Sequence, residues 1–283
     1  MPPSSFHPDW IRPQWPAPAH IHALCTSRAG GVSVAPYDSL NLGDHVGDVP
    51  QAVQTNRQRL QMALQTDTPQ TQAQTQAVFL RQVHGVQTIH LAAGLSDGLC
   101  ADACVTTAIG PVCTIMVADC LPVLFTDRQG RAVAAAHAGW RGLADGVLES
   151  VWQAFCTALL GPEATAAAQK ALAPSTLAWL GPCIGPTAFE VGAEVQQAFC
   201  AHHPAAAAHF QQQTGQQGKY LADLAALARQ RLQGLGITQI YGNDSSAGWC
   251  TVNNPSHFFS HRRDAVRWGG SGRMAACIWR SQP

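Results

Sequence analysis

The chain has 283 residues with 17 basic and 17 acidic side chains, so its formal net charge is zero, and hydrophobic residues make up 46%. Charged residues make up only 12%, about half of the usual share of roughly 25%, which excludes a disordered chain because disorder goes with high charge and low hydrophobicity. A neutral chain also lacks the basic surface with which proteins bind nucleic-acid polymers, so we expect no such partner.

The hydrophobic pattern predicts helices and strands in mixed order. In chain order we expect a helix over 50–64, a polar surface loop over 65–76, strands over 78–83, 86–91, 112–117, 121–126 and 131–136, a helix over 143–160, a short apolar run over 177–180, helices over 191–202 and 221–235, and strands over 237–241 and 274–279. Because strands and helices do not alternate strictly, the pattern favours an α+β fold over a doubly wound sheet. We expect an N-terminal extension over 1–22 and a single catalytic domain over 23–283.

The compartment and the state of the cysteines can also be predicted. No apolar run reaches the roughly 18 residues that span a bilayer, and the Pro-rich N-terminus does not follow the pattern of a signal peptide. We therefore expect a cytoplasmic protein without membrane contact. Most of the ten cysteines lie in apolar stretches and are expected to be buried free thiols rather than members of a disulfide framework. Cys120 and Cys183 have more unusual surroundings.

Three short motifs place chemically active side chains where predicted strands meet turns. The motif RQVHG (81–85) ends in His84 and a glycine, ADCLP (118–122) contains Asp119 and Cys120, and HAGWRG (137–142) begins with His137. Functional side chains concentrate at such positions because a rigid strand holds them at the surface. Each of these residues alone is more often structural, so the combination is the informative feature.

Two imidazoles and one thiolate form a ligand set for a borderline-soft metal ion. Catalytic zinc sites use three protein ligands and keep a fourth position for water or substrate. The spacing of the motifs alone does not separate a metal site from a Cys–His pair in which the histidine activates a nucleophilic thiol. Asp119 is compatible with both, either as a residue that orients the ligands or as a proton carrier.

These motifs resemble those of the laccase-domain family, whose members are also described as zinc-dependent purine nucleoside phosphorylases, polyphenol oxidases and peptidoglycan editing factors. Matching segments run along nearly the whole chain: SRAGGVS (27–33), SLNLG (39–43), HVGD (45–48), NR (56–57), QVHG (82–85), AD (101–102), ADCLP (118–122), HAGWRG (137–142), GPCIG (181–185), FEVG (189–192), FSHRRD (259–264) and GR (272–273). The resemblance implies that His84, Cys120 and His137 are the metal ligands. It also implies a mixed α/β/β/α sandwich with two β-sheets between helical layers, of the cysteine-hydrolase-like kind.

The residues limit the activities that the family names could cover. A multicopper oxidase needs about four copper ions, held largely by paired imidazoles, whereas this chain has 12 histidines and one His-x-His pair, His20 and His22. Copper on a single set of two histidines and one cysteine stays open as an alternative, with phenol oxidation as its activity. A second alternative is a metal-free hydrolase or amidase that edits a peptidoglycan precursor, in which His137 activates Cys120.

Phosphorolysis of purine nucleosides accounts for more of the sequence. Phosphate is best held by arginine forks and Gly-rich turns, and Arg28, Arg141 and the segment 269–273 combine these features. We therefore predict a zinc enzyme for adenosine, inosine and methylthioadenosine that also deaminates adenosine, because zinc can lower the pKa of bound water to about 7. His84, Cys120, His137 and Asp119 are the predicted catalytic residues. Arg28, Asn41 and Arg141 are expected to contact phosphate or sugar.

Overall fold

The computed structural model describes residues 6–67 and 75–283. In these ranges the strands are β1 (Ile21–Cys25), β2 (Gln76–Phe79), β3 (Thr88–His90), β4 (Ala103–Thr106), β5 (Pro111–Val117), β6 (Leu121–Asp127), β7 (Val133–Ala138), β8 (Thr176–Leu180), β9 (Glu190–Gly192), β10 (Phe210–Gln212), β11 (Lys219–Ala222), β12 (Gln239–Gly242) and β13 (Met274–Arg280). The α-helices are α1 (Pro50–Asp67), α2 (Trp140–Asp145), α3 (Val147–Leu160), α4 (Ala166–Leu172), α5 (Ala193–His202), α6 (Leu224–Gly234) and α7 (His261–Trp268).

Two large mixed sheets contain most of the strands. The first has the order β1-β13-β5-β2, and the second has the order β12-β8-β6-β7-β4-β3. In the first sheet β5 pairs in parallel with β2 and antiparallel with β13. In the second sheet β6 pairs antiparallel with both β7 and β8, whereas β12 runs parallel to β8. A third, small antiparallel sheet has the order β10-β11-β9 and was not expected from the sequence.

Alternating side chains of the central strands build separate apolar layers, because successive residues of a strand point to opposite faces. In β6, Leu124 packs in the core between the two large sheets, whereas Val123 and Phe125 belong to a core shared with α3 and α6. Helix α1 covers the other face of the four-stranded sheet through Leu60 and Leu64. The resulting order of helix, sheet, sheet and helix confirms the predicted α/β/β/α sandwich.

The long periodic elements of the sequence prediction are present, with altered boundaries. The helix predicted over 143–160 begins earlier, at Trp140, and is divided into α2 and α3 by Gly146, whose positive φ of 103° ends the first helix. The stretches 191–202 and 221–235, predicted as helices, each begin in a strand, β9 or β11. The predicted loop over 65–76 is helical as far as Asp67 and becomes β2 at Gln76. The rest of that loop, 68–74, lies outside the described residues.

Several elements have no clear local pattern and were not predicted. Helix α7 has the polar sequence HRRDAVRW without an apolar stripe, and it begins where the side chain of Ser260 accepts a hydrogen bond of 3.1 Å from the backbone N–H of Arg263. Strand β1 starts at Ile21, and Ile11 forms a further bridge with Cys25, so the segment before residue 23 contributes to the first sheet. In the described ranges, we find no helix with the length and apolar character needed to cross a membrane.

Candidate metal centre and its cavity

Three side chains from distant parts of the chain meet at one end of the central strands β6 and β7 of the second sheet. His84 stands in the turn after β2, Cys120 directly precedes β6, and His137 lies near the end of β7. Their ligand atoms all lie within 4.8 Å of one another, and Sγ of Cys120 is 3.7 Å from Nε2 of His84. His137 is buried, Cys120 is half-buried and His84 is exposed, so the cluster is reached from one side.

Asp102 connects two of the three clustered residues. Its carboxylate lies 2.8 Å from Nδ1 of His137, with both side chains buried. A carboxylate only accepts hydrogen bonds, so Nδ1 donates and Nε2 carries the lone pair that can bind a metal ion. The same carboxylate accepts hydrogen bonds from the backbone N–H groups of Val83, His84 and Gly85 at 3.1, 2.9 and 2.8 Å. Asp102 therefore orients the ring of His137 and holds the turn that bears His84.

The backbone at the cluster adopts unusual conformations that these contacts hold in place. His84 has φ 61° and Asp119 has φ 86°, in the left-handed region that costs a non-glycine residue about 1–3 kcal/mol. Asp119 is fixed by Thr251, whose hydroxyl donates to Oδ1 at 2.5 Å, and by the backbone N–H of Arg262, which donates to Oδ2 at 2.6 Å. Such strain concentrates at functional sites, where the surroundings stabilise it.

The glycines of the HAGWRG motif (137–142) are required for steric reasons. A Cβ atom at Gly139 would lie 2.9 Å from Sγ of Cys120 and 2.9 Å from Cδ2 of His84. A Cβ atom at Gly142 would lie 2.7 Å from the carbonyl oxygen of Gly85. Real Cβ atoms do not approach other heavy atoms so closely. The turn after His137 can therefore pass this close to the other two clustered residues only with glycines at these positions.

The charges of the cluster are strongly coupled. Burial alone would raise the pKa of the Cys120 thiol, but the charge and hydrogen bond of His137, with a smaller contribution from His84, lower that pKa to about 6. Burial opposes the protonation of His137, but the Cys120 thiolate and the Asp102 carboxylate raise the pKa of this imidazole to about 9. Without a metal ion, the stable state near neutral pH is thus a thiolate next to an imidazolium.

These residues fit a metal ion by donor type and by spacing. Donors at about 2.0–2.3 Å from a tetrahedral zinc ion lie about 3.5 Å apart, and the distance of 3.7 Å between Cys120 and His84 is close to this value. A thiolate with two imidazoles suits zinc and also copper. Among the described residues, this is the one group of three or more His, Cys, Asp or Glu side chains placed to hold a metal. The ranges 1–5 and 68–74 contain none of these residue types.

The cluster opens into a cavity of about 420 Å³. Its wall combines the clustered residues with Asp119, with an apolar side and with three arginines. The apolar side includes Trp140, Ile184, Phe189 and Leu224, and the arginines are Arg141, Arg262 and Arg273. The cavity can therefore accept a small molecule that has both a flat apolar part and an anionic part.

The structure brings some of the predicted site residues together and leaves two outside. Those that line the cavity are His84, Asp119, Cys120, His137 and Arg141. Arg28 does not line it, because its guanidinium donates to carbonyl oxygens of Asp38 and Pro255 at 2.8 and 2.9 Å and pairs with the Asp38 carboxylate. Asn41 is fully buried under the cavity wall. Contrary to expectation, neither side chain is placed to touch a molecule in the cavity.

Sequence reasoning assigned no role to Asp102 or Arg262, although both lie in motifs that it singled out, and it considered Arg273 only as part of the segment 269–273. For Asp102 a signal was present, since it is the one charged residue in an apolar run from 99 to 106. A buried carboxylate needs partners. Its partners were not readable from the sequence, because β4 pairs with β7 across a long stretch of chain.

Comparison with known proteins shows the family of this chain. A family model described as "Multi-copper polyphenol oxidoreductase laccase" matches residues 22–281. The chain belongs to this family. A Haemophilus influenzae relative named purine nucleoside phosphorylase is 46% identical over 269 residues, which are 95% of this chain and 98% of the relative. An Escherichia coli relative named purine nucleoside phosphorylase YfiH has the same identity and coverage.

Solved structures of similar proteins have the same fold as this laccase-family chain. A crystal structure of a Neisseria meningitidis protein has 42% sequence identity and a TM-score of 0.80, and the match covers 97% of this chain and all of the other. The Bacillus licheniformis protein YfiH has 28% identity and a TM-score of 0.76, with 92% and 93% coverage. The predicted family and fold are therefore confirmed. The family description refers to several copper ions, but we find no second cluster that could hold a metal ion among the described residues.

Proposed function

We propose that the chain is a zinc-dependent purine nucleoside phosphorylase for adenosine, inosine and methylthioadenosine, with adenosine deamination beside it and its catalytic domain over 23–283. The observation that carries the proposal is a single cavity that combines a three-ligand cluster with three arginines. The names of relatives that are 45–46% identical support it, since each is named purine nucleoside phosphorylase. An oxidase or a simple hydrolase has less need of a cation-lined anion site.

The cavity has room for both reactants. Sites for small molecules commonly enclose about 300–1,000 Å³, and the volume here, about 420 Å³, lies in that range. Phe189 and Trp140 offer aromatic faces on which a purine base can stack, while Ile184 and Leu224 continue the apolar wall. The three arginines would attract the phosphate dianion and reduce its repulsion from the Cys120 thiolate.

Phosphorolysis has a simple balance of bonds. An oxygen of hydrogenphosphate forms a bond with C1′ of the ribose while the bond from C1′ to N9 breaks, and the purine keeps the bonding electrons and takes up the proton of hydrogenphosphate. A zinc ion on the three ligands would supply a Lewis acid that stabilises developing charge. Arg141 contributes positive charge next to the turn that follows His137. Asp102 keeps His137 in one tautomer, and Asp119 maintains the turn that carries Cys120.

The proposal is tested by metal analysis together with inosine cleavage. We expect one zinc ion per chain and release of hypoxanthine only with phosphate, at the same rate with and without oxygen. Cys120→Ser should lose both metal and activity, whereas Cys200→Ser, at a half-buried thiol outside the cavity, should keep both. Ammonia release from adenosine tests the deamination. Cleavage that ignores phosphate, or phenol oxidation by copper-free protein, would contradict the assignment.

A second candidate is a metal-free hydrolase in which Cys120 is the nucleophile. The observation that favours it is the thiol itself, whose pKa is lowered to about 6 against the effect of burial, chiefly by the charge and hydrogen bond of His137. Thiolate–imidazolium pairs of this kind attack carbonyl groups. Full activity after removal of all metal by chelation, abolished by alkylation of Cys120, would favour this candidate over the phosphorylase.

A further inference from the structure

Arg273, directly before β13, has an open hydrogen-bonding edge in the cavity. Its Nη1 donates to the carbonyl oxygens of Ser271 and Gly272 at 2.9 and 3.1 Å. Within the described part of the chain, Nε and Nη2 have no acceptor, and Arg273 takes part in no ion pair. These two groups form the edge of a guanidinium that matches two oxygens of a carboxylate or phosphate.

The loop over 40–43 fixes the position of Arg273. The backbone N–H of Arg273 donates to Oδ1 of Asn41 at 2.9 Å, and this oxygen also accepts from the backbone N–H of Gly43 at 2.9 Å. A Cβ atom at Gly43 would lie 2.8 Å from Cγ of Arg273 and 3.2 Å from its Cβ. The side chain therefore passes directly over Gly43, and a larger residue there would displace it.

The other two cavity arginines are less available for a bidentate contact. Arg262 donates from Nη2 to the carbonyl oxygen of Glu190 at 3.1 Å and from Nη1 to that of Ala188 at 3.5 Å, so it is tied to the wall. Arg141 is exposed and lies over the ring of Trp140, with its guanidinium carbon 4.3 Å from the centroid. Arg273 is the cavity arginine that combines partial burial, fixed placement and an open edge.

Among the described residues, no carboxylate forms an ion pair with Arg273. Asp119 is the carboxylate among the lining residues, and both its oxygens accept other hydrogen bonds, from Thr251 and from the backbone of Arg262. Burial lowers the pKa of Arg273, while the negative charges of Cys120 and Asp119 oppose that effect. Burial, followed by the charge of Arg273, lowers the pKa of His45 on the same wall. An incoming anion would relieve the cost of this half-buried cation.

We propose that the Nε–Nη2 edge of Arg273 binds the phosphate co-substrate, with Asn41 and Gly43 as positioning residues that act through Arg273. This inference rests on the proposed function for the identity of the anion. It gives Asn41 a role that its burial permits: the amide sets the place of the arginine and does not touch the substrate. It also separates phosphate recognition from nucleoside recognition, since the apolar wall lies on other elements of the fold.

Direct binding of inorganic phosphate to the metal-loaded protein, measured by calorimetry, tests the proposal without turnover. We expect Arg273→Gln to weaken phosphate binding about 10- to 100-fold, the range for a lost charge-assisted bidentate contact. Arg273→Lys should recover part of the loss, because it restores the charge but not the fork. Arg128→Gln, at an exposed arginine outside the cavity, should bind phosphate as the unaltered protein does. Melting temperatures show that each variant is folded.

Steady-state kinetics add a readout that a merely structural role would not move. Arg273→Gln and Gly43→Ala should raise the KM for phosphate about tenfold or more while the KM for inosine stays within about twofold. If the Arg273→Gln protein binds phosphate as tightly as the unaltered protein, the inference is wrong even if phosphorolysis is confirmed. If no nucleoside is cleaved at all but Arg273→Gln still abolishes phosphate binding, the anion site stands and only the proposed function fails.

Discussion

The carboxylate of Asp102 accepts a hydrogen bond of 2.8 Å from Nδ1 of His137, and both side chains are almost completely buried. The backbone N–H of His137 also donates to the carbonyl oxygen of Asp102 at 2.7 Å, so the two residues are held together twice. This arrangement presents Nε2 to Cys120 and His84. Carboxylates in this position fix the tautomer and orientation of metal-ligating histidines.

Asp102→Asn should weaken metal binding by about 10- to 100-fold, as removal of such a partner does in other metal sites. The amide oxygen can still accept a hydrogen bond from Nδ1, but the negative charge that favours a strongly donating imidazole is gone. Titration against a competing chelator measures the affinity. Asp145→Asn, at an exposed carboxyl outside the cavity, is the matched control, and equal affinities of the two variants would contradict this role of Asp102.

Gly139→Ala tests the steric closeness of the cluster. The added methyl group would lie 2.9 Å from Sγ of Cys120, so we expect loss of stoichiometric metal with the fold intact. Gly139 has φ −67°, an ordinary backbone conformation for alanine, and the effect should therefore be local. Gly234→Ala, with no heavy atom within 4 Å of the new methyl group, should retain the metal. Elemental analysis measures the metal content of both variants. A fully loaded Gly139→Ala protein would show that the cluster tolerates the added methyl group.

The pKa of Cys120 predicts an unusual pH profile for thiol alkylation in the metal-free protein. Because this pKa is lowered from 9.0 to about 6, the reactive thiolate is present at pH 7 and is lost as the pH falls through about 6. The rate with iodoacetamide should therefore level off above pH 7 instead of rising through pH 9. Cys120→Ser should remove this fast phase, and His137→Gln should move its midpoint to higher pH. A midpoint near 9 in the unaltered protein would show that the thiolate is not stabilised.

Two substitutions of Asp119 distinguish a structural role of this residue from a chemical one. Asp119→Ala removes the acceptors of the Thr251 and Arg262 hydrogen bonds and places alanine at φ 86°, so we expect a loss of about 2–4 kcal/mol in the free energy of unfolding. Asp119→Asn keeps an acceptor and tolerates the left-handed conformation. It should lose less than about 1 kcal/mol and retain metal. If Asp119→Asn is as stable as expected but inactive, Asp119 carries a proton in the reaction.

Local patterns were sufficient for much of the fold. Apolar runs located the central strands β5 and β6, and helical spacing located most of α1 and α3, because burial imposes a period on a chain wherever one face packs on a core. The polar helix α7 and the edge strand β3 show the limit of this signal. In α7 the helix is stabilised by the Ser260 cap and not by an apolar stripe, and the strand predicted over 86–91 is shorter, since β3 spans Thr88–His90.

For the site, the residue types of three motifs were enough to single out His84, Cys120 and His137, because imidazole and thiolate donors at strand ends are uncommon and chemically distinctive. Which side chains meet in space was decided by tertiary structure. The pairing of β4 with β7 brings Asp102 to His137, and the guanidinium of Arg28 turns away to Asp38. Arg273 enters the cavity over Gly43, 230 positions away in the chain. Such contacts depend on strand pairing and side-chain direction over long sequence distances, which hydrophobic periodicity does not contain.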